Sequence, residues 1–366
     1  MLSLYLLFVF VVSFFSCSIL AYKIIGLDYG RNRNDKVDGL RGLLAFMVAL
    51  FHYGATYNIE LYGIWSSYDS LILKNFGSFS VSVFFIISGF VFYSTIFSKE
   101  CKWLSFYISR ILRIYPLFLM VLIFIVLVSY FKGNSSDLSG LYKYFLFGWG
   151  DLFGYDQSYL VNSGVQWTLL YEWLFYAALP LLWALKNKKF TAWFAISALA
   201  SYVAFDLASK GQIDFKLFLL FISGLACRHL SKEKFNKISN LKFITISLIC
   251  VTTSLFFSYQ YSYIQMMSVS VLFYCFLISG FRIKPSINKF ILSMSEASYG
   301  IYMIHGVVFF IIFRAGLFET KMISPWLFFS LFPVVMFFVT FLASYSFIYI
   351  ERSSMSAARK ISCKLR

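Results

Sequence analysis

The stretch IYPLFLMVLIFIVLVSYF, residues 114–131, runs for 18 residues without a charge. At 1.5 Å of rise per residue a helix over it is about 27 Å long, close to the roughly 30 Å hydrocarbon core of a bilayer. The basic turn RILR, residues 110–113, stands directly before it. Apolar length and a flanking cationic turn together predict a membrane span with its basic end in the cytoplasm.

The pattern recurs along the chain. Spans are expected at residues 4–22, 38–57, 80–98, 114–131, 165–185, 190–208, 215–230, 243–258, 264–281, 297–315 and 326–350. Composition agrees, since the 366 residues are 60% hydrophobic, 22% aromatic and only 13% charged. The mean hydropathy is +0.76. A soluble domain carries about 25% charged residues, and no stretch is left that could fold as a sizeable aqueous domain. The predicted fold is therefore all-α: a polytopic transmembrane helical bundle of about 11 spans, forming one membrane domain.

Orientation follows from the basic residues. With the N-terminus outside, the connections after the first, third, fifth, seventh and ninth spans lie inside, as does the C-terminal tail. Those segments collect most of the 32 Lys and Arg residues, among them Arg31, Arg33 and Lys36, Lys99 and Lys102, Lys232 and Lys234, and Arg359 and Lys360. The positive-inside rule thus predicts an odd number of spans and a cytoplasmic C-terminus. It also accounts for the formal charge of +16, which is spread over many loops, so nucleic acid is not an expected partner and membrane lipid is. The first span lacks a basic n-region and a small-residue cleavage site, so it is expected to be retained. Six scattered cysteines form no CxxC pair, and neither a metal site nor a disulfide framework is expected.

Two outer connections are long, residues 132–164 and 58–79. The second carries Tyr62, Trp65 and Tyr68. Such rings either anchor at the membrane interface or stack on sugars.

Ionisable side chains inside spans are costly, so each is a candidate for function. Arg41 and His52 stand eleven residues apart on one predicted helix. That spacing returns to within about 20° of the same face and separates the two by roughly 16 Å. A fixed cation near the cytoplasmic end suits a phosphate or carboxylate, and a histidine further out can move protons. Snorkelling of the arginine and a structural bond for the histidine are the competing readings. Arg110 and Arg113 share a helix face just before Tyr115 and Pro116, which suits either an anion site or interfacial anchoring. Glu172, in WTLLYEWLFY (residues 167–176), has a depth comparable to that of His52 and is expected to orient the imidazole or to serve as interhelical glue. His305, in SYGIYMIH (residues 298–305), has either a structural or a catalytic role. His229 sits in a basic inner loop, where solvation is expected.

Six segments in order resemble the acyltransferase family 3 membrane proteins of the O-antigen and exopolysaccharide acetyltransferase type: VDGLRGLLAFMVALFH (37–52), FFIISGFVF (84–92), RILRIYP (110–116), WTLLYEWLFYAALPLL (167–182), SYGIYMIH (298–305) and IER (350–352). The resemblance divides the chain into an extra N-terminal span and loop (1–36), a family-like core (37–352) and a basic cytoplasmic tail (353–366). It implies transfer of an acyl group, usually acetyl from cytoplasmic acetyl-CoA, to a hydroxyl of a glycan at or beyond the outer face of a bacterial inner membrane, with polysaccharide-assembly proteins as further partners. Under that reading His52 is the general base with Glu172 beside it, while Arg41, Arg110, Arg113 and Tyr115 hold the donor. Asp38, Ser88, Tyr171 and His305 complete the candidate set, with Ser88 or His52 as acyl carrier in an alternative route. The chain departs from the family pattern in its extra first span and in lacking the C-terminal extracytoplasmic SGNH-type domain of some members. Competing functions are a glycan or ion transporter and a non-catalytic partner of a polysaccharide synthase.

Overall fold

The computed structural model describes residues 2–26, 35–70, 72–186, 214–231, 238–281, 283–315 and 323–364. Each expected span falling on described residues is occupied by helix; the one at 190–208 lies outside them. The elements are α1 (Leu2–Ile25), α2 (Asp35–Tyr62), α3 (Leu73–Ile96), α4 (Trp103–Lys132), α5 (Trp167–Lys186), α6 (Phe218–Leu230), α7 (Asn240–Phe256), α8 (Tyr263–Ile278), α9 (Pro285–Glu296), α10 (Ser298–Phe309), α11 (Pro325–Ser330), α12 (Phe332–Ser346) and α13 (Arg352–Lys364). No strand occurs among the described residues.

By length and apolarity six helical segments are able to cross a bilayer, and the bent pair formed by α9 with Ser298–Arg314, kinked by 58°, makes up to seven. The segments α6, α7 and α8 are shorter, at 13, 17 and 16 residues. The ten expected spans that fall on described residues therefore correspond to helices of unequal length, of which six, or up to seven, are long and apolar enough to cross a membrane, because a hydropathy run does not reveal where bends and turns interrupt it.

Burial ranks the helices. Within its most apolar window α2 is 89% buried, against 33% for α4. So α2, which carries Arg41 and His52, is surrounded by protein, while α4 turns much of its surface to lipid. Close approach depends on small residues, as expected where lipid tails give no hydrophobic drive between helices. Gly89 of α3 lies on the Phe221 backbone of α6, and Gly224 of α6 lies on the Ile86 backbone of α3; a Cβ at either would collide with a carbonyl. Likewise α9 presses on Gly39 and Gly42 of α2. There the Ser295 hydroxyl donates to the Gly39 carbonyl (3.1 Å) and accepts from the Gly42 amide (3.2 Å). The turn of α2 that holds Arg41 is clamped between them.

The connection 133–166 between α4 and α5 is held together by its own hydrogen bonds. The Asn134 and Ser135 amides both donate to the Phe153 carbonyl, at 2.9 and 3.0 Å. Its last part, the 3-10 turn Ser158–Asn162, is buried together with Val165 and Gln166. Ser163 and Gly164, with φ of 59° and 65°, reverse the chain into α5. This turn passes so close to α10 that a Cβ at Gly306 would strike the Asn162 backbone. The long connection thus reaches the residue next to His305.

Candidate active site

Arg41 from α2 and Arg110 and Arg113 from α4 open into one cavity. Thr168, Glu172 and Tyr176 of α5, Ser88 of α3 and Ser298, Tyr299 and Tyr302 of α10 complete its polar lining. The non-atom space amounts to about 910 Å³, open solvent at the mouth included. Arg110 is held by protein: its guanidinium lies 5.4 and 5.7 Å from the Phe92 and Phe106 rings and bonds the Ser109 hydroxyl at 3.2 Å. Arg41 and Arg113 donate no hydrogen bond to any described residue, so their donors are available to a ligand. Three guanidiniums face one carboxylate in this lining. Fixed positive charge inside a bundle is costly unless anions answer it; behind the lining, Asp38 lies within electrostatic reach of Arg41, and the buried Glu351 within reach of Arg41 and Arg113.

Glu172 is the centre of a small network. The Ser88 hydroxyl donates to its Oε1 at 3.2 Å and the Tyr176 hydroxyl, one turn along the same helix, donates to its Oε2 at 3.0 Å. Beyond this network the lining becomes apolar and aromatic, through Val81, Phe84, Phe85 and Leu169.

The imidazoles form a separate pair. His305 Nδ1 lies 2.8 Å from the Ile301 carbonyl, and His305 Nε2 lies 2.9 Å from His52 Nδ1. A carbonyl only accepts, so in the neutral pair His305 carries its hydrogen on Nδ1 and its Nε2 accepts from His52 Nδ1. This leaves His52 Nε2 as the unprotonated nitrogen, the form a general base needs. The two rings are nearly parallel, with centroids 5.2 Å apart and planes at 10°. Trp65 covers the His52 ring at 5.9 Å and 24°. Its loop is tied down by Asn58, whose amide donates to the Ser66 and Ser67 carbonyls at 3.3 and 3.0 Å.

The expected residues therefore divide into groups. Arg41, Arg110, Arg113, Glu172 and Ser88 meet in the chamber, while His52 and His305 meet beyond it. The partner of His52 is His305; Glu172 bonds Ser88 and Tyr176 instead. Tyr115 does not line the chamber, and its ring packs on Phe118, Phe147 and Trp173. Tyr171 uses its hydroxyl to accept from the Asp214 amide at 2.7 Å, which pins the start of the following segment. Asp38 lies one turn before Arg41, outside the lining. His229, expected to be solvated, bonds the Tyr93 hydroxyl at 2.8 Å. Of the aromatics singled out in the connection 58–79, Tyr62 is exposed, Tyr68 packs on Tyr57 and Phe329, and Trp65 reaches the imidazoles.

Sequence reasoning missed Tyr176, Tyr299 and Tyr302. The signal was available in spacing: Tyr176 is four residues after Glu172, and Tyr299, Tyr302 and His305 recur every third residue on one helix face. Among the described residues no group of three or more His, Cys, Asp or Glu side chains is placed to hold a metal ion.

A helical bundle with membrane-length helices, and with a cationic chamber ending beside an imidazole pair, can hold an anion close to a proton acceptor. Residues 34–347 match the acyltransferase domain model of acyltransferase family 3, and the chain belongs to that family of membrane acyltransferases. It matches no curated protein and no solved structure.

Proposed function

We propose that this membrane acyltransferase moves an acyl group, acetyl by preference, from cytoplasmic acyl-CoA to a hydroxyl of a cell-surface or lipid-linked glycan. The observation that carries the reading is the division of the site. Cations with available donors stand at one end of a chamber, and a base with its tautomer fixed stands past the other. Coenzyme A is a polyanion on a long arm, so Arg41 and Arg113, supported by Arg110, hold its phosphates by charge-assisted bonds. The thioester then points toward the aromatic end. As the acceptor hydroxyl attacks the thioester carbonyl, its proton passes to His52 Nε2, while His305 holds the His52 ring through Nδ1. The ester forms and the CoA thiolate leaves, taking up the proton. Trp65 over His52 offers an apolar face suited to a sugar ring.

This reading includes the eleven-span arrangement, with the N-terminus outside and the C-terminus cytoplasmic in a bacterial inner membrane. Cysteine labelling checks it: Ser136→Cys is expected to react from outside and Ser286→Cys from inside.

The function is tested with purified protein in lipid nanodiscs, given acetyl-CoA and glycan acceptors. Release of CoA thiol together with an acetylated acceptor is expected. Glycan or ion flux without thiol release would replace this reading with transport, and inert protein that co-purifies with a synthase would replace it with a partner role.

A further inference from the structure

Tyr302 belongs to both halves of the site. It lines the chamber, and its ring lies 6.2 Å from that of His305, one turn further along α10. The ring is held in place. Its hydroxyl shares a 2.8 Å hydrogen bond with the Thr168 hydroxyl, and each hydroxyl also approaches the Val165 carbonyl, at 3.3 and 3.2 Å. Two hydroxyl hydrogens therefore have two acceptors, one within the pair and one on the carbonyl, so the latch is fully satisfied. Phe84 closes the other side, its ring 6.1 Å from that of Tyr302 and nearly perpendicular to it at 75°.

The arginines and this latch stand at opposite ends. On α5 the lining runs from Tyr176, near the arginines, to Thr168, eight residues and about 12 Å of helical rise. A donor anchored through its phosphates at the cationic end brings its acyl group against Tyr302.

We propose that Tyr302, latched by Thr168, is the end wall of the donor chamber and sets the length of acyl chain the enzyme accepts. This rests on the donor orientation given under the proposed function. One methylene more or less in an apolar pocket changes discrimination by roughly 10–200-fold. A fixed ring at the end of the chamber excludes longer chains by steric contact.

The test is a competition of acetyl-CoA with butyryl-CoA in one reaction on nanodisc-embedded full-length protein, with both esters counted by mass spectrometry. Tyr302→Ala is expected to raise the butyryl-to-acetyl ratio at least about tenfold. Tyr302→Phe keeps the ring and loses the latch, so it is expected to raise the ratio less, and Thr168→Val is expected to match it. A Tyr302 that only supports the fold would lower both esters in parallel, and an unchanged ratio across these variants overturns the proposal. If Tyr302→Ala does not fold, the other two variants decide by the same ratio. If the wild type transfers neither group, the functional reading fails by itself. The wall is then read by ligand protection against heat denaturation: a gain confined to butyryl-CoA in Tyr302→Ala supports it, and equal gains with both donors overturn it.

Discussion

If His52 and His305 act as one unit, their losses will not multiply. His52→Ala removes the base, and a positioned general base contributes about 10²–10⁴ in rate. His305→Ala leaves His52 present but removes the acceptor 2.9 Å from its Nδ1. The ring is then free to turn and to place its hydrogen on either nitrogen. Partners that fix metal-bound imidazoles are typically worth 10–100-fold, and a loss of about that size is expected here. The double variant should fall no further than His52→Ala alone, because without the base there is nothing left to orient. Independent roles would instead multiply to about 10³–10⁶. The assay is initial-rate acetyl transfer for the four proteins at saturating donor, with donor affinity measured in parallel. Affinity should stay close to wild type in all four, since neither imidazole lines the chamber. Multiplicative losses, or a wild-type rate in His305→Ala, would refute the relay.

Other consequences follow from the same geometry. Arg113→Ala and Arg41→Ala are each expected to raise the KM for acyl-CoA about 10–100-fold, the worth of a hydrogen bond to a charged group, and Arg113→Lys to recover only part because the planar fork is lost; unchanged KM in these variants removes the arginines from donor binding. Glu172→Gln deletes the one carboxylate of the chamber lining, so kcat should fall while the KM for the polyanionic donor does not rise. A higher KM with kcat preserved would mean that the carboxylate serves binding. Gly306→Val forces a side chain onto the Asn162 backbone and is expected to cost about 1–3 kcal/mol, visible as a lower unfolding temperature in detergent.

Hydropathy made most of the fold legible, because a bilayer admits few alternatives to a helix wherever about 20 apolar residues stand together. Those runs carry no information on bends, so the 58° break between α9 and α10 and the π-helical turns Phe310–Arg314 and Phe347–Glu351 were invisible. The chamber was partly legible. Arg41, Arg110, Arg113 and Glu172 stand out as charges in apolar runs, and they do meet. The pairing of His52 with His305 was not legible, since the two lie 253 positions apart and any polar residue at similar depth was an equal partner. Glu172 was the nearer guess by depth, yet Ser88 and Tyr176 already occupy its oxygens. Tyrosines escaped notice for a different reason. In a chain with 26 of them the type itself carries no signal, and only the three-residue spacing along α10 sets Tyr299 and Tyr302 apart.

The order of charges along the site also bears on what the chamber is for. A proton or ion path needs groups that change charge, or rings of oxygen ligands, in sequence from one face to the other. Here the three chamber cations are guanidiniums, which keep their charge at any physiological pH. They are gathered at one end, and the run of charge stops at the aromatic rings of Phe84 and Tyr302. The two imidazoles, His52 and His305, do not line this chamber, and the His305 ring lies 6.2 Å from that of Tyr302. A fixed positive end attracts and retains an anion but does not pass one along. That arrangement suits an anion retained at the arginine end, with its other end against the aromatic lining, better than an ion in transit from face to face.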